Sequence, residues 1–304
     1  MSRRLNILIF HRVLDHQDPM LNGEVDINQF DLQMSWVKRF YNVLDLNIAI
    51  DMLLSNTLPS RALCVTFDDG YKDNYTNALP ILKKHGLPAT FFIATGFLNG
   101  GIMWNDVVIE TLRNTKLKEL DLSEFGLDIF NISENRADLS GVVLKSLKYL
   151  SFEKRALVIK ALPELLDSEA PVNLMMTDDD VKQLHGSGMT IGGHTENHPI
   201  LARLSREQAK REIESGKQYL EKITEDKIQL FAYPNGIPGQ DYKREHVEII
   251  KELGFKGAVS TAWGAATHKS DIFQLPRFTP WDKSTIKYLL RLEKMRRSPS
   301  EDTV

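Results

Sequence analysis

Two pairs of side chains in the sequence have the types and spacing of a metal-dependent hydrolytic site. Asp68 and Asp69 directly follow the apolar run Leu63–Phe67, and His194 and His198 are four residues apart after a Gly-Gly pair. One aspartate and two histidines form a three-ligand set that suits zinc and leaves one position open for water. The ion would acidify that water and polarise a carbonyl, and the remaining aspartate would be free to act as a general base.

Each pair also has a simpler interpretation. Asp-Gly is a common turn pair, so Asp68 and Asp69 could form a turn or cap the helix that follows. The two histidines could be solvated side chains of a polar loop. If their segment forms one helical turn, both imidazoles lie on the same face and reach one ion, although Pro199 excludes a long helix.

Polar residues follow two further apolar runs. His11 comes directly after Leu5–Phe10, and Asn235, in a Pro-Asn-Gly segment, comes shortly after Leu230–Tyr233. In a parallel α/β barrel the C-terminal ends of the strands meet on one face, where active sites are built. We therefore expect these residues to converge with the aspartates and histidines.

The elements that must position these residues follow an α/β pattern. Short apolar runs alternate with amphipathic helical segments, which indicates parallel β/α units. We predict a single domain over 1–304, with a mostly helical insertion at about 100–175, where no clear strand pattern occurs, and a basic C-terminal helix at about 284–297. Further strands are predicted at Ala89–Ala94, Met189–Gly192, Gly257–Ser260 and Gln274–Phe278, and helices at Asn28–Phe40, Asn74–His85, Thr177–Leu184, Ser205–Ile223 and Val247–Leu253.

Composition limits the partners and the compartment. The formal net charge of -3 lacks the basic excess of nucleic-acid-binding proteins. No stretch approaches the ~20 apolar residues of a membrane span, and the run Leu5–Phe10 is too short for a signal peptide. The single cysteine, Cys64, fits a reducing compartment, so we expect a cytoplasmic protein. The basic C-terminal helix leaves membrane association open but is more typical of a solvated helix, and the oligomeric state is not predicted.

The motifs Thr66–Gly70 and His194–His198 resemble the first two motifs of the polysaccharide deacetylases, also known as the NodB-homology domain or carbohydrate esterase family 4. The resemblance covers most of the chain, from about Ile7 to Phe278. It implies a distorted (β/α)7-type barrel, a divalent metal that is usually zinc, and hydrolysis of acetamido groups on sugars. It also implies that Asp68 is the catalytic base and that Asp69, His194 and His198 bind the metal.

The third motif of this family is usually Arg-Pro-Pro-Tyr-Gly, and this chain departs from it. Phe231–Gly236 occupies that position, with Ala232 in place of the arginine and Asn235 in place of the tyrosine. A backbone N–H near Asn235 can still stabilise an oxyanion, because any residue other than proline carries one. The arginine normally orients the base, and Arg277 is the candidate replacement. The alternative for Arg277 is a surface salt bridge.

The catalytic-acid histidine of the usual C-terminal motif is also missing. Phe10-His11 resembles a pair found after the first strand in a circularly permuted subgroup that includes biofilm-polysaccharide enzymes, so His11 is the candidate general acid. The alternative is a partly buried histidine at a strand end. Trp104 and Tyr233 are candidates for contact with a sugar ring, although aromatic core residues are the default interpretation.

The sequence therefore predicts a metal-dependent N-deacetylase with an N-acetylated sugar as substrate. Two alternatives remain open. One is an amidohydrolase that acts on a non-sugar amide or imide. The other is a non-catalytic glycan-binding protein with a decayed site, which the missing arginine motivates.

Overall fold

The apolar runs of the sequence form one curled, parallel sheet. A computed structural model describes residues 3–132, 135–279, 282–298 and 303–304. Within these ranges the main sheet has the order β1-β5-β6-β9-β10-β11. Strand β4 pairs with the first two residues of β5, Ala62 and Leu63. The strands are β1 (Leu5–Phe10), β2 (Val13–Leu14), β3 (Val25–Asp26), β4 (Asn42–Val43), β5 (Ala62–Phe67), β6 (Thr90–Ile93), β7 (Glu119–Asp121), β8 (Ile129–Asn131), β9 (Thr190–Gly193), β10 (Leu230–Ala232) and β11 (Gly257–Val259).

Helices cover the outside of this sheet. β1 and β5 are buried along their whole length, as expected for parallel strands that are covered on both faces. The helices are α1 (Ile27–Phe40), α2 (Leu46–Leu54), α3 (Leu79–His85), α4 (Trp104–Asn114), α5 (Arg136–Lys148), α6 (Phe152–Leu165), α7 (Asp178–Gly186), α8 (Arg206–Thr224), α9 (Arg244–Glu252) and α10 (Thr285–Arg297), and a π-helical turn, Asn74–Ala78, precedes α3. The predicted distorted (β/α) barrel is confirmed. Helix α2 was not predicted.

The segment after β11 joins the two edges of the sheet. Leu275 forms a parallel bridge with Val259 of β11, and Phe278 forms one with Leu8 of β1. The prediction of a continuous strand over Gln274–Phe278 is wrong, because Pro276 has no N–H to donate to a ladder. The N–H of Arg277 donates instead to Ala262 O at 3.1 Å.

The connection from β6 to β9 has its own apolar cluster. Helices α4, α5 and α6 pack together there, in agreement with the predicted helical character. A short antiparallel pair, β7 and β8, was not predicted. Each strand has three residues and buries only its central one, Leu120 or Phe130, so the strands are too short for an alternating pattern. The cluster includes Val108, Leu112, Leu120, Phe130, Val143 and Leu162.

Helix α10 packs against the barrel near β1. Its buried residue Tyr288 contacts the ring of Trp36 at a centroid distance of 5.3 Å, and Asn6 Nδ2 donates to Leu292 O at 3.1 Å. Ile286 and Leu290 on the same helix are exposed. Among the described residues, no helix combines the length and the apolar character that crossing a membrane requires.

Candidate active site

A cleft of about 490 Å³ lies at the C-terminal ends of the strands. His11 follows β1, Asp68 and Asp69 follow β5, and His194 follows β9, so each side chain is held at the end of a buried strand. The cleft is lined by these residues and by His198, Asn235, Thr261, Arg12, Glu24, Tyr71, Trp104, Asn105, Asp106, Lys145, Lys148 and Tyr149, among others.

Asp69, His194 and His198 have the geometry of a metal site. Asp69 Oδ1 lies 3.4 Å from Nε2 of both histidines, and one ligand atom from each residue lies within 4.8 Å of the others. A tetrahedral ion with bonds of about 2.1 Å separates its ligand atoms by about 3.4 Å. Asp69 Oδ1 is buried without a hydrogen-bond partner among the described residues. The donor set and its spacing therefore fit a divalent cation.

The segment that carries the two histidines is a loop and not the helical turn that their spacing allowed. Thr195 and His198 have φ angles of 65° and 51°, in the left-handed region. The N–H of His198 donates to Thr195 Oγ1 at 3.0 Å, which closes the loop. The two imidazoles still meet, with ring centroids 4.7 Å apart.

The orientation of the His194 ring and the lowered pKa of His198 both favour metal binding. His194 Nδ1 lies 2.7 Å from the carbonyl oxygen of Ala232, which can only accept, so this nitrogen carries the proton and Nε2 faces Asp69. Burial lowers the pKa of His198 to about 4, which favours the neutral imidazole. Burial opposes ionisation of Asp69, but the imidazoles of His194, His198 and His11 outweigh it and hold the pKa of Asp69 well below its usual range.

Helix α8 holds the histidine loop in place. Glu212 accepts hydrogen bonds from the N–H and the side-chain amide of Asn197, at 2.8 and 2.9 Å. One turn further along, Gly216 lets the helix approach the loop closely, because an added Cβ would lie 2.8 Å from the carbonyl group of Thr195. Neither Glu212 nor Gly216 was predicted from the sequence. A glycine inside a long helical pattern is the signal that could have indicated this close packing.

Asp68 forms a buried ion pair with Arg277. The guanidinium Nη1 and Nη2 donate to Asp68 Oδ1 and Oδ2, both at 2.7 Å, and the arginine also donates to Thr66 Oγ1 and Ser260 O. Arg277 is completely buried, so the alternative of a surface salt bridge is wrong. Burial alone would raise the pKa of Asp68, but the guanidinium outweighs it and lowers this pKa, so the carboxylate is ionised at neutral pH.

His11 lies in the same cleft, in a strongly negative field. Burial lowers the pKa of His11, but the carboxylates of Asp69, Glu24 and Asp68 together outweigh burial and raise it. Glu24 also accepts a hydrogen bond from the N–H of Arg12 at 3.1 Å. Glu24 was not predicted as a site residue, because it lies in a polar segment without a motif.

The remaining predicted residues differ in their placement. Asn235 lines the cleft with φ 58°, and its carbonyl accepts from Thr261 Oγ1 at 2.8 Å. Its N–H donates to no backbone carbonyl in the described part of the chain. Trp104 also lines the cleft. Tyr233 does not, because its ring stacks on Tyr242 in the core at a centroid distance of 3.8 Å, so the predicted substrate contact is not supported.

Comparison with known proteins agrees with this geometry. A sequence model of the family described as polysaccharide deacetylase matches residues 55–121 and 142–258, more than half of the chain. The chain belongs to the polysaccharide deacetylase family. The resemblance inferred from its two motifs is thereby confirmed.

Relatives of this polysaccharide deacetylase cover most of its length. It is 29% identical over 257 residues to a poly-beta-1,6-N-acetyl-D-glucosamine N-deacetylase of Staphylococcus aureus, covering 84% of this chain and 67% of that protein. Its fold is similar to that of the Streptococcus pyogenes deacetylase PplD solved in complex with acetate, with a TM-score of 0.65, 22% identity and coverage of 97% and 100%. IcaB from Ammonifex degensii gives a TM-score of 0.61 at 17% identity, with coverage of 95% and 98%.

We predict that Gly216→Ala destabilises the protein although alanine is the better helix former. The gain in helix propensity is about 1 kcal/mol, while overpacking against the backbone of Thr195 costs about 1–3 kcal/mol. Gly141→Ala in α5 is the matched control, since no atom lies within 4 Å of its added Cβ and it should stabilise by up to about 1 kcal/mol. Urea unfolding of both variants measures the difference. Equal stabilisation by both substitutions would contradict this packing.

We predict that Arg277→Met lowers the free energy of unfolding by about 3 kcal/mol at pH 7, because it leaves the buried Asp68 carboxylate unpaired. The folded-state pKa of Asp68 is lowered, so the pair stabilises above the unfolded pKa near 3.8 and its contribution is lost as the pH falls through the folded value. The difference from the unmodified protein should therefore shrink below about pH 4.

Urea titrations between pH 7 and pH 3 measure this effect. Arg206→Met is the control, because the pair of Arg206 with Glu252 is well exposed and is worth at most about 1 kcal/mol. A loss for Arg277→Met that is as small as the control, or that does not change with pH, would contradict the buried-pair interpretation.

Proposed function

We propose that this chain is a metal-dependent N-deacetylase that removes acetyl groups from amino-sugar residues of a poly- or oligosaccharide. The observation that carries the proposal is the convergence of Asp69, His194 and His198 beside the ionised Asp68 in one cleft. The S. aureus relative is a poly-beta-1,6-N-acetyl-D-glucosamine N-deacetylase, which supports an N-acetylated sugar as the substrate class.

Asp69, His194 and His198 would hold the divalent cation, and their mixed oxygen and nitrogen donors favour zinc. When bound, such a cation acidifies water and polarises the acetamide carbonyl. The hydrogen bond from His194 to Ala232 O fixes the imidazole with Nε2 toward the ion site. This carbonyl belongs to the residue that stands in place of the family's usual arginine.

The residues of the chain supply the proton transfers. Asp68 accepts a proton from the attacking water, and Arg277 orients this carboxylate through its two hydrogen bonds. The backbone N–H of Asn235 donates to the oxyanion that develops on the carbonyl oxygen. The water oxygen bonds to the acetyl carbon, the C–N bond breaks, and His11 donates a proton to the leaving nitrogen. Acetate and a free amino sugar are the products.

Two contacts of the cleft support this assignment over the alternatives. Arg277 forms with Asp68 the pair that the missing motif arginine would otherwise form, which argues against a decayed glycan-binding site. Trp104 presents an aromatic surface at the cleft wall, which favours a sugar ring over a small cyclic imide.

We predict that His11→Gln lowers kcat for acetate release by at least about 100-fold, because the leaving nitrogen loses its proton donor. Asp68→Asn should lower kcat by a similar factor. Acetate is measured from a panel of N-acetylated oligosaccharides with zinc-loaded protein. The control is His16→Gln, which removes an exposed histidine outside the cleft and should leave the rate unchanged. Full activity of His11→Gln would show that another group donates the proton.

We predict that Asp69→Asn abolishes stoichiometric zinc binding, because it removes the anionic member of the ligand set. Calorimetric titration of the metal-free protein with zinc measures the affinity. Asp106→Asn is the matched control, since Asp106 is a buried carboxylate of the same cleft outside the ligand set. The site assignment fails if Asp69→Asn binds zinc as tightly as the control.

A further inference from the structure

A buried arginine next to the cleft has no carboxylate partner. Arg155 in α6 is 7% exposed, and no carboxylate of the described residues lies within 4.0 Å of its guanidinium. One nitrogen, Nη1, donates to Lys148 O at 3.2 Å, and the guanidinium carbon lies 4.9 Å from the ring centroid of Trp104. In contrast, Arg277 is fully buried but is paired with Asp68. Burying a charge without a counter-charge costs free energy, so an anion bound next to Arg155 would stabilise its guanidinium.

Arg155 lines a second cavity, which we call the Arg155 cavity, between the turn from α5 to α6 and the loop before α8. Its volume is about 240 Å³. Lys148 and Arg203 also line it, and neither forms an ion pair within the described part of the chain. Glu153 is the one carboxylate among the described lining residues, and it is exposed and unpaired. The lining therefore carries three positive charges against one negative charge.

The Arg155 cavity adjoins the deacetylation cleft. Lys148 and Tyr149 line both spaces, and Trp104, on which Arg155 stacks, lines the cleft. Two cations lie near the Tyr149 ring: Lys148 Nζ at 5.6 Å and the guanidinium carbon of Arg203 at 5.9 Å from its centroid. A glycan that occupies both spaces would pass this ring and these two cations.

We infer that the Arg155 cavity binds an anionic group of the glycan, a phosphate or a carboxylate on a sugar residue next to the one that is deacetylated. The inference rests on the proposed function and narrows its substrate class to anionic glycans. A guanidinium that stacks on an aromatic ring still presents its N–H edge to such an anion. Lys148 and Arg203 add charge that attracts the same group.

Binding of three probes tests this inference in the zinc-loaded His11→Gln protein, in which turnover is expected to be at least about 100-fold slower. The probes are an N-acetylglucosamine tetrasaccharide, the same tetrasaccharide with a 6-phosphate, and the same tetrasaccharide with a 6-carboxylate, each titrated calorimetrically into that protein. We expect at least one anionic probe to bind about tenfold more tightly than the neutral one. Preference for one of the two anions identifies the source of the charge. The preference should fall as salt is raised, because salt screens the cations.

Single substitutions assign the preference to the cavity. Arg203→Gln removes an exposed positive charge from the Arg155 cavity. Arg155→Lys keeps the charge but removes the planar N–H donors of the guanidinium. Each substitution should reduce the ratio of anionic to neutral affinity several-fold. Lys154→Gln is the matched control, because it removes one exposed charge from the same helix outside both spaces and should leave the ratio unchanged. Thermal unfolding establishes that each variant is folded.

Three results overturn the inference: equal affinity for all probes, an unchanged ratio in both cavity variants, or an equal loss in Lys154→Gln. The proposed function is tested separately by acetate release from all three probes with the unsubstituted zinc-loaded protein. Acetate release without an anion preference removes the Arg155 cavity as a binding site and leaves the deacetylase proposal intact. An anion preference without acetate release supports the cavity and contradicts the deacetylase proposal.

Discussion

The structure of the site depends on how two adjacent buried carboxylates are balanced. Asp68 and Asp69 are 3% and 6% exposed, and their proximity would make it costly for both to ionise. Each carboxylate has its own neighbouring groups, which lie on different sides of the pair. Arg277 holds Asp68 from one side, and the imidazoles of His194 and His198 face Asp69 from the other. Both carboxylates are thereby ionised, with Asp68 next to a site that suits a cation, which is the arrangement that metal-assisted hydrolysis requires.

This balance places demands on the rest of the barrel. Arg277 reaches Asp68 only because the chain after β11 crosses to β1, forming single bridges on either side of the arginine. The site loops also adopt backbone conformations that are unfavourable for most residues, with positive φ at Asp69, Thr195, His198 and Asn235. Helix α8 stabilises one of these loops through Glu212 and the close approach at Gly216.

Sequence reasoning could locate the strands and the residues at their ends for a simple physical reason. Buried parallel strands are continuous apolar runs, and a charged residue directly after such a run must lie at the rim of the sheet. The same reasoning could not give the shape of the loops. His194 and His198 have helical spacing, but hydrogen bonds to Thr195 and to α8 determine a different path. Tyr233 directly follows β10 and so could also lie at the rim, but its ring packs against Tyr242 in the core.

Contacts between segments that are distant in the sequence could not be predicted from any local sequence pattern. Arg277 could be suspected from the missing motif arginine, but its burial depends on barrel closure. Arg155 belongs to an unremarkable helical segment, and its isolation from carboxylates follows from how α6 packs beside Trp104. Short strands such as β7 and β8 bury too few residues to give a pattern, so tertiary packing decides their conformation.

The central claim is that Asp69, His194 and His198 bind one divalent cation beside Asp68. Anomalous diffraction at the zinc edge, from crystals grown with zinc, tests this most directly. The account predicts one anomalous peak within about 2.0–2.2 Å of Asp69 Oδ1 and of Nε2 of both histidines. A fully loaded crystal with no peak there, or with the ion held by Asp68 and not by Asp69, would contradict it.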